Sequence, residues 1–107
     1  MTEQQINWLK SLEPFENENL IPDIPSANTD EEFKLIVDTL IRCGAIPKKD
    51  LKVGVTYLGS CRNSSKATWN GECFDYERYK FGTYYMDTIP HFEDEKYHDI
   101  FIPIKEV

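Results

Sequence analysis

The sequence predicts an α+β domain in which two N-terminal helices precede a bent antiparallel sheet of about five strands. Capping-box patterns begin two helical segments, and apolar residues at helical spacing follow the second of them. Short β-branched and aromatic runs, separated by turn residues, fill the rest of the chain. The 107 residues suit a single domain, with a helical and extended part over residues 1–45 and a β-rich part over residues 46–107.

The first helix is predicted from its ends. Thr2 and Gln5 have the spacing of a capping box, in which each side chain accepts a hydrogen bond from the backbone N–H of the other residue. The helix should end before Glu13, because Pro14 disfavours helical backbone in the residue that precedes it. Residues 14–28 contain three prolines and are expected to form an extended connection that lies against the body of the protein.

The second helix is predicted over about residues 30–43. Thr29 and Glu32 repeat the capping pattern, and Gly44 lies where a helix C-terminus favours glycine. Between them runs an apolar stripe that should face the core: Phe33, Ile36, Val37, Leu40 and Ile41.

The dipeptide Asn70-Gly71, between two alternating runs, predicts a β-hairpin. A two-residue type I′ turn would give both residues a positive φ and would place Trp69 opposite Glu72. Because successive side chains in a strand alternate between the two faces of the sheet, one face of the hairpin carries the predicted core. This face consists of Ala67, Trp69, Phe74 and Tyr76.

The other strands are predicted from composition. A β-branched and aromatic run covers residues 51–58, a turn near residues 80–83 leads to a strand over 84–89, and the last strand covers residues 99–104. Pro103 places this last strand at an edge of the sheet, and Tyr84 and Tyr85 are interpreted as packing residues. The favoured architecture is a strongly bent meander, either open or closed as a small SH3-like barrel.

The charge balance argues against nonspecific binding to nucleic acid or to anionic membranes. The chain has 12 basic and 19 acidic residues, for a net charge of −7. Residues 51–80 form a basic island, with five basic and three acidic residues, between acidic flanks. No apolar run approaches the ~20 residues of a membrane span, and no secretory signal is visible. A cytoplasmic location without a membrane or direct nucleic-acid partner is therefore expected.

The three cysteines are expected to be reduced thiols. Cys43, Cys61 and Cys73 are an odd number, and none of them forms a CxxC pair. With the two histidines they lack the paired spacing of a zinc site. No cofactor or metal is predicted.

The basic island supplies the first candidate binding residues. Residues 59–66 combine small polar residues with two cations, which suits a phosphate or carboxylate, although a solvated loop has the same composition. If the following strand stays in register, two further cations share the face of the predicted core unless a bulge returns them to solvent. The candidate residues are Arg62, Asn63, Lys66, Tyr76, Arg78 and Lys80.

The acidic loop after the fourth predicted strand supplies the second set of candidates. His91 next to Glu93 and Asp94 has the residue types of acid–base chemistry, and either Cys61 or Cys73 could be a nucleophile with His91 as its base. The plainer interpretation is a surface loop, in which Glu93 or Asp94 forms an ion pair with Arg78 or Lys80 across the sheet.

Four short motifs within residues 51–104 resemble small uncharacterised proteins of phages and mobile elements in Gram-positive bacteria. They are GSCRN at residues 59–63, WNG at 69–71, RYKFG at 78–82 and HFED at 91–94. The resemblance implies a setting and no activity: a short accessory protein in phage–host conflict, where inhibitors and signal-molecule sponges are common.

These observations favour a non-catalytic interaction protein that binds a protein partner. An acidic surface can occupy a basic nucleic-acid groove, so we expect an inhibitor of a host nucleic-acid-binding or defence protein. The first alternative is a protein that binds an anionic nucleotide through Arg62, Lys66, Arg78 and Lys80. The second alternative is an enzyme that uses Cys and His chemistry. A thermal-shift screen with nucleotides would separate the first two hypotheses.

Overall fold

The computed structural model describes residues 1–62, 64–96 and 99–107. The predicted α+β class is confirmed, because two α-helices precede a five-stranded antiparallel sheet. Two short 3₁₀ turns, Glu18–Leu20 and Lys48–Asp50, lie in the connections. The elements are α1 (Glu3–Ser11), α2 (Asp30–Arg42), β1 (Thr56–Ser60), β2 (Lys66–Trp69), β3 (Phe74–Lys80), β4 (Thr83–Ile89) and β5 (Ile102–Glu106).

Both helices begin at the predicted caps. The Thr2 hydroxyl accepts a hydrogen bond from the Gln5 N–H at 3.1 Å, and the Gln5 side chain accepts from the Thr2 N–H at 2.9 Å. At α2 the Thr29 hydroxyl accepts from the Glu32 N–H at 3.1 Å. Since these bonds satisfy N–H groups that have no partner inside the helix, residues close in sequence determine where each helix starts.

The sheet has the strand order β4-β3-β2-β1-β5, and every neighbouring pair is antiparallel. A register shift between Leu58 and Gly59 bends the β1–β5 pair. Pro103 lies in β5 at one edge of the sheet, as predicted, and β4 forms the other edge. The order brings the last strand next to the first; the SH3-like form stays a prediction.

The strand expected over residues 51–58 starts later than predicted. Residues 48–50 form a 3₁₀ turn, and Gly54 has a φ of +84° in a second turn, so β1 begins only at Thr56. The N–H of Gly54 donates to the carbonyl of Trp69 at 2.7 Å, which attaches this turn to the end of β2. Composition identified the strand, but these two turns determine its boundary.

The register predicted for the β2–β3 hairpin is wrong. Trp69 lies opposite Phe74, because the Asn70 side chain accepts from the N–H groups of Glu72 and Cys73 at 2.8 and 2.9 Å. The turn therefore moves forward along the chain, and Gly71 (φ +102°) adopts a positive φ while Asn70 does not. The predicted core face survives, since a partner shift of two residues preserves the alternation of side chains.

Buried apolar residues form two adjacent clusters. The helix-side core packs the two helices against the sheet and consists of Leu9, Ala27, Ile36, Leu40, Ala45, Phe92 and Ile102. The sheet core consists of Tyr57, Ala67, Trp69, Phe74, Tyr76, Ile89 and Phe101. The four predicted core residues of the β2–β3 hairpin belong to it, which confirms their assignment. Phe101 and Ile102 are neighbours in the chain and connect the two clusters.

The β3–β4 hairpin has the tight turn that was expected one hairpin earlier. Lys80 pairs with Thr83, and the two residues between them, Phe81 and Gly82, have φ values of 52° and 79°. Two consecutive positive φ angles are the pattern of a type I′ turn. Asn-Gly is the sequence preferred there, so a phenylalanine at the first position is unusual.

Candidate functional site

Large apolar side chains are exposed mainly on the β3–β4 hairpin. In the described part of the chain nine large apolar residues are exposed, and five of them lie on this one element, so the exposure is concentrated. We define the hairpin patch as Tyr79, Phe81, Tyr84 and Met86, whose side chains are 62, 93, 66 and 66% exposed.

The strand register places three residues of the hairpin patch on one face. Tyr79 lies directly opposite Tyr84, with ring centroids 4.8 Å apart, and Met86 follows two residues later on the same side. Phe81 extends the patch at the turn. Glu77 lies opposite Met86 and adds an exposed carboxylate beside the apolar surface.

The hairpin patch is exposed for two reasons. Tyr79, Tyr84 and Met86 lie on the face of the sheet opposite to the core residue Phe74. In addition, both strands extend beyond the sheet core. Burial ends at Tyr76 on β3 and at Ile89 on β4, while the paired register continues without a bulge to Lys80 and Thr83. The interpretation of Tyr84 and Tyr85 as packing residues is therefore wrong, since they are 66% and 38% exposed. Period-two alternation cannot reveal where along a strand the buried layer stops.

The backbone of β4 is also available on its outer side. This strand forms the sheet edge and, among the described strands, it pairs only with β3. An exposed edge strand offers N–H and C=O groups to another chain. The hairpin thus combines an apolar face with an open hydrogen-bonding edge.

Three of the predicted binding residues come together at a polar cavity of about 580 Å³. Arg62, Tyr76 and Arg78 line it, but so do the carboxylates of Asp87 and Asp99. The absence of a bulge in β3 confirms that Arg78 and Lys80 follow the face of Phe74 and Tyr76. The cavity carries charges of both signs and is not a purely cationic site.

Asp87 is the carboxylate that pairs with Arg78. The Arg78 guanidinium lies 3.3 Å from the Asp87 carboxylate, which also accepts from the Tyr76 hydroxyl at 3.4 Å. The Thr88 N–H donates to the same carboxylate at 2.8 Å. This backbone hydrogen bond, and then those of Arg78 and Tyr76, lower the pKa of Asp87. Arg78 is therefore occupied by a neighbour on β4.

The predicted pairing of Glu93 or Asp94 with Arg78 or Lys80 is wrong. Glu93 accepts from the Lys48 N–H at 2.6 Å, and Asp94 forms an ion pair with the Lys48 ammonium at 2.8 Å. These bonds attach the acidic loop to the 3₁₀ turn before β1. The Lys80 ammonium instead lies 5.3 Å from the centroid of the Phe81 ring.

The remaining basic residues do not complete the predicted cluster. Lys66 is exposed at the start of β2, and neither Lys66 nor Lys80 lines the cavity of Arg62 and Arg78. Asn63 was also predicted to belong to the cluster, but it lies outside the described residues. The basic residues of this part of the sequence are therefore close in the chain but do not form one continuous cationic surface.

His91 is a buried structural residue, so its interpretation as a surface histidine is wrong. Its Nε2 lies 2.9 Å from the Ile46 carbonyl oxygen, and its Nδ1 accepts from the Glu93 N–H at 3.1 Å. Burial lowers the pKa of His91 and thus favours the neutral ring. The ring packs against Phe74 and Trp69 in the sheet core.

Neither candidate nucleophile has a catalytic arrangement with His91 among the described contacts. The Cys61 thiol donates to the Ser64 carbonyl at 3.2 Å, and the Cys73 sulfur accepts from the Asn70 amide at 3.4 Å. Both nitrogens of His91 are engaged by backbone groups. General-base catalysis requires a ring nitrogen within reach of the nucleophile's proton.

The chain matches no family model, no curated protein and no solved structure. In the described part of the chain, no helix is long and apolar enough to cross a membrane. Across the same residues, no group of three or more potential metal ligands comes together.

Sequence reasoning missed the hairpin patch as a binding surface. Of the aromatic residues in this hairpin, only Tyr76 was among the predicted binding residues, and it is buried. The run Tyr84-Tyr85-Met86 is apolar on both strand faces, whereas a strand covered on one face alternates. This pattern next to a tight turn was the available indication that apolar surface would remain uncovered.

Proposed function

We propose that this protein is a non-catalytic binding module that engages a protein partner through the hairpin patch. The observation that carries the proposal is the concentration of exposed Tyr, Phe and Met side chains on one arm of the sheet. Exposed contiguous apolar surface is uncommon on monomeric proteins and marks contact sites. Aromatic residues and methionine are enriched at protein interfaces.

The conformation of Phe81 supports the same proposal. A non-glycine residue in the left-handed region costs about 1–2 kcal/mol, and Phe81 has a φ of 52°. Its ring is 93% exposed and adds nothing to either core cluster. Backbone strain that gives no packing in return is typical of contact sites.

The partner should present an apolar surface with basic residues around it. Glu77 lies beside Met86 at the margin of the hairpin patch, and the whole chain carries a net charge of −7. Opposite charge on the partner would speed association and make it sensitive to salt. The free edge of β4 could add backbone hydrogen bonds to an extended partner segment.

These properties suit an inhibitor of a basic, nucleic-acid-binding host protein. Aromatic side chains on the hairpin would anchor the contact, and the acidic surface would compete with nucleic acid for the basic groove. This role fits the phage–host setting that the sequence resemblance implies. It requires no catalytic residue.

Binding of an anionic nucleotide is the second candidate. It is favoured by the cavity that Arg62, Tyr76 and Arg78 share. Two features count against it: Asp87 pairs with Arg78, and Asp99 adds a second carboxylate to the lining. A phosphate would have to displace the first carboxylate and approach the second.

Affinity capture from a lysate of a Gram-positive bacterium tests the leading proposal. The variant Tyr84→Ser/Met86→Ser removes half of the hairpin patch, and Leu20→Ser/Val53→Ser removes exposed apolar groups elsewhere. We expect the wild type and the control to recover the same partner in equal amounts. The hairpin variant should recover at least about tenfold less of it. Equal recovery by all three proteins would overturn the proposal.

The nucleotide candidate is tested by thermal shift. We expect no stabilisation by ATP, GTP or cyclic dinucleotides, because the arginines share their cavity with two carboxylates. A saturable rise in melting temperature that disappears in Arg62→Gln would favour the nucleotide candidate instead.

A further inference from the structure

A second concave surface borders the helix-side core and shares Arg62 with the polar cavity. This cleft of about 340 Å³ lies between residues 22–26, α2, the end of β1 and the loop after β4. Its floor includes Ile36, Phe92 and Ile102, all of which belong to the helix-side core. The volume is at the small end of ligand-binding pockets.

The rim of the cleft carries charges of both signs. Arg62, Asp23 and Glu95 line it. Within the described residues, neither Arg62 nor Asp23 forms a hydrogen bond or an ion pair with another side chain, and Glu95 accepts only the N–H of Lys96, at 3.1 Å. Lys96 also lines the cleft, but its ammonium is paired with Asp30.

The combination of floor and rim restricts the chemistry of a ligand. A simple carboxylate would meet Arg62 but would also approach the two acidic side chains, and a simple amine would leave the guanidinium unmatched. A ligand that carries an ammonium and a carboxylate beside an apolar group complements all three charges and the floor. An α-amino acid with an apolar side chain has this arrangement.

We propose that this cleft binds a free apolar α-amino acid of about the size of leucine, as its zwitterion. The side chain lies on the floor formed by Ile36, Phe92 and Ile102. Arg62 binds the carboxylate, and Asp23 with Glu95 binds the ammonium. The site is separate from the hairpin patch and does not depend on the proposed function.

Calorimetry with L-leucine and three matched compounds tests the ligand class. 4-Methylpentanoate lacks the ammonium, 3-methylbutylamine lacks the carboxylate, and glycine lacks the apolar side chain. We expect saturable binding of L-leucine and at least about tenfold weaker binding of each of the other three, since each lacks one matched group. Failure of L-leucine to bind at millimolar concentration would overturn the proposal, and so would equal binding of 4-methylpentanoate.

Charge-removing variants assign the two ends of the ligand. Arg62→Gln should weaken the binding of L-leucine at least about tenfold without weakening the binding of 3-methylbutylamine, because the amine has no carboxylate for Arg62 to bind. Asp23→Asn should reduce the difference in affinity between L-leucine and 4-methylpentanoate, because only L-leucine has an ammonium for Asp23 to bind. Lys80→Gln removes an exposed cation outside the cleft and should leave the affinity unchanged. Unchanged binding in Arg62→Gln would overturn the assignment of the carboxylate.

Cysteine alkylation locates the ligand independently of affinity. Cys61 lines the cleft, whereas Cys73 lies in the β2–β3 turn outside it. With L-leucine at about three times its Kd, about a quarter of the sites are empty, so alkylation of Cys61 should be about fourfold slower. Cys73, measured on its own peptide by mass spectrometry, should react at the same rate. Binding of L-leucine with no change at Cys61 would place the ligand elsewhere and overturn the proposal.

Discussion

His91 joins the loop after β4 to the sheet core, and its protonation is linked to folding. The ring is fully buried, and its two nitrogens serve the Ile46 carbonyl and the Glu93 N–H. A protonated ring would have to donate from both nitrogens, so Nδ1 would face an N–H group that is also a donor. The neutral ring is therefore part of the native structure.

The protein should lose stability as the pH falls below about 6.5, the ordinary pKa of histidine. Burial lowers the pKa of His91 in the native state, so the unfolded chain binds a proton first and the free energy of unfolding falls with the pH. Urea denaturation at several values between pH 8 and pH 5 measures this. An NMR titration of His91 with a pKa at or above 6.5 would contradict it.

Gly59 is required where β1 approaches β5. A Cβ added there would overlap the Ile102 carbonyl oxygen and lie 2.8 Å from its carbonyl carbon. Gly59→Ala should therefore lower the free energy of unfolding by about 2–3 kcal/mol. Gly54→Ala, which meets no atom within 4 Å but has a φ of +84°, should cost only about 1 kcal/mol. Chemical denaturation compares them, and equal losses would contradict the steric explanation.

The partner of Arg78 illustrates what residue-level reasoning could and could not predict. Alternation along β3 correctly placed Arg78 on the face of Tyr76. Its partner, Asp87, is nine residues further along the chain. Which carboxylate meets Arg78 depends on the register of β3 against β4, and that register follows from the exact position of the turn at Phe81 and Gly82. An acidic loop rich in carboxylates was the more obvious but incorrect choice.

Secondary-structure elements were predictable where their ends depend on neighbouring residues. The caps at Thr2 and Thr29 predicted both helix starts, because the bonds involved span three residues. The prediction of the β2–β3 turn was wrong for a related reason. The Asn70 side chain accepts hydrogen bonds from two backbone N–H groups, and the turn lies further along the chain as a result. The preference of Asn-Gly for a type I′ turn describes backbone angles and does not account for this competing side-chain hydrogen bond.

Gly71 remains essential in the corrected hairpin. It has a φ of +102°, and an added Cβ would contact Val53 at 3.5 Å. Gly71→Val should lower the free energy of unfolding by about 2 kcal/mol, because a β-branched residue resists positive φ. Gly71→Asn should cost less than half as much, since asparagine tolerates this region. A Val variant with an unchanged denaturation midpoint would show that this turn does not depend on the conformation of Gly71.

The helices and the sheet should unfold together. Phe92 and Ile102, from the β-rich part, complete the helix-side core, so residues 46–107 alone would leave apolar surface uncovered. The length of the chain predicted a single domain. The periodicity of the sequence could not predict that these two residues would pack against the helices, because this contact depends on tertiary structure.

The two tryptophans allow this cooperativity to be measured. Trp8 lies in α1, and Trp69 lies in the sheet core. In Trp8→Phe and in Trp69→Phe, the fluorescence of the remaining tryptophan should follow the same urea transition as the far-UV circular dichroism of that variant. If Trp8 fluorescence changed at lower urea than the dichroism, the helices would be unfolding separately from the sheet.

The central claim is that the hairpin patch is exposed for contact and is not needed by the fold. The most direct measurement is the free energy of unfolding of Phe81→Asn. Asparagine tolerates the φ of 52°, so the variant gains about 1–2 kcal/mol of relieved strain. It loses the exposed contact of Lys80 with the ring, worth about 0.5–1 kcal/mol. We therefore predict a variant more stable than the wild type by about 0.75 kcal/mol, the difference between the midpoints of these two ranges; a less stable variant would show that Phe81 serves the fold and would contradict the account.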